Sequence, residues 1–267
     1  MSQPSASARV RQLERQLDVT LLRRGPTGSV PTDAGRLVAE WATEVLEAAG
    51  RLEAGVASLR AASSPPLRLA ASLTVAEHLL PGWLAQLRSP ASGEVALEVA
   101  NSQRVLEAVA GGRAQLGFIE SPGPIGGLPS AEVGTDELVV VASPGHPWAR
   151  RRTPLPAALL AAEPLVTREP GSGTRAALEA AMAEAGLAPA SPAAELGSTA
   201  AVKGWLLAGG GAGVLSRRAV EPELRLRTLV EVKVAGVGLR RRLRAVWPAP
   251  GPPEGPAAAL LAVARGR

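Results

Sequence analysis

The chain has 267 residues, 46% hydrophobic but only 2% aromatic, so Ala, Leu and Val must fill any core. It has no cysteine and only two histidines, His78 and His146, which excludes disulfide and thiolate chemistry and leaves too few ligands for a metal cluster. No apolar run approaches the roughly 18 residues of a membrane span, and the N-terminus lacks a signal-peptide layout. These features predict a soluble cytoplasmic protein without a membrane partner, and no cofactor is indicated.

The formal net charge of +5 is unevenly spread. Residues 1–24 carry five arginines against Glu14 and Asp18. Residues 217–244 carry eight arginines and Lys233 against Glu221, Glu223 and Glu231. Basic stretches attract phosphate backbones, and a solvated basic face is the alternative for each.

In chain order, Ser2 is placed to cap a helix over residues 3–17, with Pro4 in its first turn. Val10, Leu13 and Leu17 fall on one face, with Arg9, Arg11, Gln12 and Arg15 around the others. Leu21-Leu22-Arg23-Arg24, turn residues Gly25 to Gly28, and Ser29-Val30-Pro31 predict a small hairpin. Thr32 then caps a long helix over 33–62. Its apolar positions Val38, Trp41, Val45, Ala49, Leu52, Val56 and Leu59 step by three or four residues, the seam of a dimerising coiled coil that Gly50 and Gly55 weaken. Ser63-Ser64-Pro65-Pro66 ends this helix as a linker.

Beyond the linker, strands and helices alternate. The pattern predicts strand 67–71, helix 74–87, strand 94–100, helix 102–110, strand 116–119 and strand 138–142. It restarts after Ser143-Pro144-Gly145-His146-Pro147 with Leu159-Leu160, strand 164–167, helix 173–185, a strand near 193–196, helix 198–207 and strand 213–215. Residues 229–234 and 239–246 read as a basic strand pair, and 257–264 as a last helix. Two such runs mean two α/β lobes with mostly parallel sheets, whose ligands lie beyond the C-terminal strand ends and in the cleft between lobes.

The sharpest chemical candidate is Arg168-Glu169-Pro170-Gly171-Ser172-Gly173-Thr174-Arg175, which follows a strand and opens a helix. Backbone N–H groups at the helix start, with Gly171, Ser172, Gly173 and Thr174, form an anion cradle; a mere helix cap is the alternative. No Lys-Ser/Thr pair follows the glycines, so it is not a Walker loop. Ser72 and Thr74, Asn101 and Ser102, and Ser198 and Thr199 repeat the arrangement at three other strand-to-helix turns; each alone reads first as a cap, and the four together favour a shared polar pocket. The glycines of Ala208–Gly213 join a helix to a strand and read as a helix stop. Neither histidine has an acid partner in the pattern, so no catalytic set is indicated and the chain is not read as an enzyme. Glu120, at a strand end, is either a ligand contact or a solvated carboxylate.

Taken together these residues resemble the LysR-type transcriptional regulators, over essentially the whole chain. Residues Ser2 to Ser7 with Val10, Leu13 and Glu14 resemble the recognition helix of the family's winged helix-turn-helix. Leu21-Leu22-Arg23-Arg24 and Pro31-Thr32-Asp33-Ala34-Gly35 resemble its wing and linker-helix entrance. The remainder is similar to a two-lobed, periplasmic-binding-protein-like α/β effector domain. Arg168 to Arg175, Asn101-Ser102 and Gly117-Phe118-Ile119-Glu120 resemble the subgroup tied to sulfur and carbon-fixation genes. Ala8, Asp18 and Leu22 depart from the family's usual polar or basic residue, Gly and Phe.

The resemblance implies a partial winged helix-turn-helix over 1–32, a dimerisation linker helix over 33–62, effector lobe I over 67–142 and 249–267, and lobe II over 143–248. It implies DNA contacts by Gln3, Pro4, Ser7, Arg11 and Arg24, and a small anionic effector held by Ser72, Thr74, Ser102, Gly171, Ser172, Gly173 and Thr174. The expected protein is an effector-gated regulator acting on promoter DNA as a homodimer or homotetramer. As written, the chain enters the DNA module at its recognition helix, so the alternative is a ligand-binding, dimerising module whose DNA binding is weakened or lost by N-terminal truncation.

Overall fold

The computed structural model describes residues 3–25, 28–63, 66–87 and 94–266, with backbone alone at 3–6, 24–25 and 53–63. The chain divides into two units, residues 1–64 and 65–267.

The first unit contains α1 (Gln3–Leu17), a hairpin of β1 (Leu22–Gly25) and β2 (Gly28–Pro31), and α2 (Asp33–Ser63). The expected Ser2 cap lies outside the described residues. The α1 helix stops where Asp18 takes a left-handed φ of 51° and Val19 N–H donates to the Glu14 carbonyl. Aspartate tolerates that conformation better than most residues, which explains its standing at a position suited to glycine. Glu14 Oε1 accepts from the Leu21 and Leu22 amides at 2.8 and 3.0 Å, tying α1 to the hairpin. Thr32 Oγ1 accepts from the Gly35 amide at 2.9 Å and donates to the Thr20 carbonyl at 2.7 Å, so it caps α2 and pins it to the chain just before β1. Gly35 passes so close to the Leu21 carbonyl that a Cβ would clash with it.

The second unit begins with β3 (Leu67–Ser72), α3 (Leu73–His78), α4 (Leu80–Gln86), β4 (Val95–Ala100), α5 (Ser102–Ala110), β5 (Leu116–Ile119) and β6 (Ser130–Ala142). A 3-10 turn over Pro147–Arg150 leads to β7 (Leu155–Pro156), α6 (Ala157–Ala162), β8 (Val166–Arg168), α7 (Gly173–Glu184), β9 (Ala194–Leu196) and α8 (Thr199–Leu207). The chain continues through β10 (Ala212–Ser216), α9 (Arg217–Leu226), β11 (Val230–Val232), β12 (Val234–Ala235), β13 (Arg240–Val246) and α10 (Gly255–Ala264).

One sheet runs β4-β3-β5-β13-β6-β10-β8-β9, with β11 also on β6. Strands β4, β3 and β5 are parallel, as are β10, β8 and β9, and the antiparallel β13 and β6 join the two sets. Each half has its own apolar layers. Phe118, Leu69 and Leu243 pack with α10 residues Leu260 and Leu261 in the first half; Leu160, Met182 and Leu155 pack in the second. Trp83 tilts against Phe118 with ring centroids 5.2 Å apart.

Three expectations change. The single helix over 74–87 is two, α3 and α4, because Pro81 cannot supply an amide to the preceding turn and opens a new helix instead. The strand expected at 138–142 begins at Ser130. Residues 229–234 and 239–246 do not pair with each other: β11 joins β6, β12 joins β7, and β13 lies between β5 and β6. Residues 217–226 form α9 despite Pro222, which sits within an Arg- and Glu-rich amphipathic turn. Through β6 and β13 the halves share strands, with Leu138–Ala142 bonded to β10 and Arg244–Val246 bonded to β5.

Two glycines of the first unit should respond oppositely to alanine. Gly50 lies mid-α2 with open space around its Cβ direction, so Gly50→Ala should raise stability by about 0.5–1 kcal/mol. Gly35→Ala forces the Leu21 carbonyl aside and should cost about 1–3 kcal/mol. Urea unfolding followed by helix content reads both; shifts of the same sign would contradict the packing described.

Candidate effector cleft

The C-terminal ends of β3, β4, β5 and β8 deliver the turns that the sequence singled out to one place in the second unit, where its two halves meet. Ser72, Thr74, Ser102, Ser172 and Thr174 are all buried there. Ser102 Oγ accepts from the Glu120 amide at 3.2 Å, and Thr174 Oγ1 donates to Glu120 Oε1 at 3.4 Å. Gly171 takes a φ of 86°, which favours glycine, and its carbonyl accepts from the Gln103 amide at 3.2 Å. A Cβ on Gly173 would lie 2.6 Å from Ser102 Oγ, so glycine is what lets α7 approach α5. Asn101 Nδ2 donates across the same seam to Glu169 Oε1 at 3.2 Å and to the Pro170 carbonyl at 3.4 Å.

The capping alternative separates the turns. Asn101 and Ser198 cap their helices, accepting from the Arg104 and Ala201 amides at 3.0 and 3.1 Å. Ser72 and Ser172 stand at the equivalent positions of α3 and α7 but make no such bond. Both hydroxyl oxygens, and Glu120 Oε2, are buried without a hydrogen-bond partner. Buried polar atoms left unpaired cost free energy, so three in one seam mark it out.

Bonded to the threonines of this group is Arg241, which the sequence leaves in a basic stretch open to a phosphate-binding or a solvated reading. It is 4% exposed. Nε and Nη2 donate to Asp136 Oδ2 at 2.9 and 2.7 Å, Nη2 also to Thr74 Oγ1 at 3.1 Å, and Nη1 to Thr174 Oγ1 at 3.0 Å. Glu120 Oε1 lies 3.3 Å from Nη1. Asp136 in turn accepts from Ser216 Oγ at 2.9 Å. The signal was available in the alternation of β13: Arg241 shares its side of the strand with buried Leu243 and Ala245, while Arg240 and Arg242 take the other. Arg168, 3% exposed, is likewise buried, bonded to Glu169 and to Thr199 Oγ1. Glu120, 2% exposed, is not a solvated carboxylate. A recess of about 560 Å³ is lined by Leu73, Asn101, Gln103, Glu169 and Pro170, beside the Asn101–Glu169 bond of the seam.

Other expected residues lie elsewhere. His146 Nδ1 accepts from the Trp148 amide at 3.2 Å and its ring meets Trp148 edge-on, a structural role. Gly210 presses on the Trp205 ring, and Gly209 and Gly211 have positive φ, as a helix stop requires. In the first unit, Ser7 and Arg11 are exposed one turn apart on α1, with Arg11 Nε donating to the Ser7 carbonyl at 3.3 Å. Gln3 and Pro4 lie in α1 and Arg24 in β1, with side chains outside the described residues. Among the described residues no helix is long and apolar enough to cross a membrane.

Comparison with known proteins matches residues 60–267 to the LysR substrate binding domain and residues 1–36 to the bacterial regulatory helix-turn-helix protein, lysR family. The chain is 43% identical over 256 residues to an uncharacterised HTH-type transcriptional regulator of Mycobacterium tuberculosis, covering 92% of this chain and 82% of that protein. It is 33% identical over 249 residues to the RuBisCO operon transcriptional regulator of Allochromatium vinosum, covering 92% and 81%. The CcmR regulatory domain of Synechocystis PCC6803, solved in complex with 2-PG, superposes with a TM-score of 0.66 at 25% identity, covering 75% of this chain and 96% of that one. The chain therefore belongs to the LysR family of transcriptional regulators, with a helix-turn-helix region followed by an effector-binding domain.

Proposed function

We propose that the seam around Arg241 is the effector site, and that a small anion entering it resets the angle between the two halves and thereby the regulator's action on DNA. The observation that carries this reading is the pair of buried, unpartnered hydroxyls, Ser72 Oγ and Ser172 Oγ, each two residues before a threonine that binds the Arg241 guanidinium. The first α7 amides and both serine hydroxyls are donors suited to an anion, and the positive end of the 12-residue helix adds to them. Arg241 and Thr174 already bind Glu120, so an anion competes with that carboxylate for Nη1 and Oγ1. The effector thus exchanges one set of contacts between halves for another, which is the differential interaction that a population shift requires.

In the first unit, α1 and the hairpin would meet DNA through Gln3, Pro4, Ser7, Arg11 and Arg24, with Arg23 adding a phosphate contact. Homodimerisation would proceed through α2, where Leu37, Trp41, Val45 and Leu52 form an exposed apolar stripe, each 48–69% accessible. Val56 and Leu59, expected to extend it, have side chains outside the described residues. A cytoplasmic location follows from this role.

The effector reading is tested by a thermal-shift screen of sulfate, phosphate, small carboxylates and phosphorylated sugars, then calorimetry. Charge-assisted hydrogen bonds contribute about 1.5–3 kcal/mol each, so Thr174→Val should weaken the selected anion roughly tenfold or more, with Ser72→Ala also weakening it. Equal affinity of wild type and both variants would remove the effector from this seam. For the stripe on α2, sedimentation at micromolar concentration should show at least a dimer, and Leu52→Glu should lower the mass; a wild-type monomer, or a variant of unchanged mass, contradicts it.

A further inference from the structure

Glu120 directly follows β5, and its two carboxylate oxygens are in different situations. Oε1 accepts from Thr174 Oγ1 and lies 3.3 Å from Arg241 Nη1. Oε2 is buried with no hydrogen-bond partner. The residue is held against the start of α7: Ser102 Oγ accepts from its amide, and a Cβ on Gly173 would lie 2.5 Å from its Cγ. Ser172, one residue before Gly173, has the unpartnered hydroxyl of that same turn. An ionised carboxylate only accepts, so Oε2 is an acceptor waiting for a donor that the fold does not supply.

The charges around it are unequal as well. Arg241 is one buried guanidinium between two buried carboxylates, Asp136 and Glu120. Asp136 has both oxygens bonded, Oδ2 by Arg241 and Oδ1 by Ser216, with Arg218 a further 3.6 Å neighbour. Arg168 is taken by Glu169. Glu120 is left with a share of Arg241 alone. A fully ionised anion in the seam takes Nη1 and Thr174 Oγ1 from Glu120 and then stands beside a carboxylate that has lost both donors. Like charges side by side in a buried place repel, and the orphaned acceptors add their own cost. An anion that brings its own O–H removes both penalties, because the proton joins the two groups as a charge-assisted hydrogen bond.

Resting on the reading of this seam as the effector site, we propose that Glu120 sets its specificity: the effector is a small anion with an O–H beside its charge, which donates to Glu120. Its ionised oxygens are met by the Ser72 and Ser172 hydroxyls and by Arg241. Hydrogenphosphate and a 2-hydroxycarboxylate share this chemistry. Sulfate and a simple carboxylate lack it and are rejected, because a site built around a ligand hydroxyl discriminates strongly against the analogue without one.

The test is calorimetric titration of two matched pairs into the full chain, at mildly alkaline pH and constant ionic strength. Phosphate is set against sulfate, both dianions of similar size that differ by one proton, and glycolate against acetate. In at least one pair the O–H member should bind about tenfold or more tightly, and which pair does so separates a P–O–H from a C–O–H ligand. In Glu120→Gln the amide oxygen can keep its place near Arg241 while the nitrogen takes that of Oε2, turning an acceptor into a donor. The preference should then disappear or reverse. Thr174→Val reports on the seam itself: binding indifferent to it lies elsewhere, and the effector reading falls with the proposal. Binding that needs Thr174 but shows no preference within either pair, or a preference unchanged in Glu120→Gln, overturns the role of Glu120 alone. So does the absence of saturable binding by both phosphate and glycolate at millimolar concentration. The wild-type pairs decide should Glu120→Gln fail to fold.

Discussion

Arg241 and Asp136 face each other across β13 and β6, the two strands that join the halves of the effector-binding unit. Both are buried, and a buried ion pair is tolerated only when nearly every donor and acceptor is satisfied. The remaining guanidinium donors go to Thr74 at the start of α3 and Thr174 at the start of α7, one in each half. Asp136 passes the connection on to Ser216, which also caps α9 through the Arg218 amide at 3.2 Å. Removing one member of such a pair strands the other charge and costs about 3–5 kcal/mol, a large part of a domain's net stability. The pair therefore fixes where the first turns of α3, α7 and α9 sit relative to the joining strands.

This arrangement accounts for how a binding event at one seam reaches the whole unit. The two halves touch through few polar bonds: Asn101 to Glu169 and Pro170, Gln103 to Gly171, and Thr174 to Glu120. The bonds to the Pro170 and Gly171 carbonyls contribute about 1 kcal/mol each and those to Glu169 and Glu120 up to about 3, comparable with what one ligand contact supplies. A ligand that displaces Glu120 from Arg241 thus acts on terms of similar size. An equilibrium between two closures a few kcal/mol apart can be shifted by such an exchange, whereas the Arg241–Asp136 pair is too strong to open.

Most of the alternation was legible from apolar periodicity, because strands such as Leu116–Ile119 and helices such as Ser102–Ala110 carry unbroken patterns. What escaped was where polar sequence is buried or helix-breaking residues are absorbed. The start of β6, Ser130 to Glu137, holds Gly134 and three acids and is ordered by its pairing with β13, a contact distant in sequence. Pro81 and Pro222 acted oppositely, one ending a helix and starting another, the other carried inside α9. The seam's serines and threonines were found from strand-to-helix turns, since turn chemistry is local. Arg241 was not, because its neighbours Arg240, Arg242 and Arg244 give the segment the composition of a solvated strand. Its two-residue alternation with Leu243 and Ala245 carried the information that composition concealed.

The most direct test of Arg241 as the tie between halves is amide hydrogen exchange on the full chain with Arg241→Lys. Lysine keeps the charge but loses the planar fork that serves Asp136, Thr74 and Thr174 together. The account predicts faster exchange both around Thr74 in the first half and around Thr174 in the second, with the α4 and α10 amides unchanged. Faster exchange confined to β6 and β13, with both turns as protected as in the wild type, would contradict it.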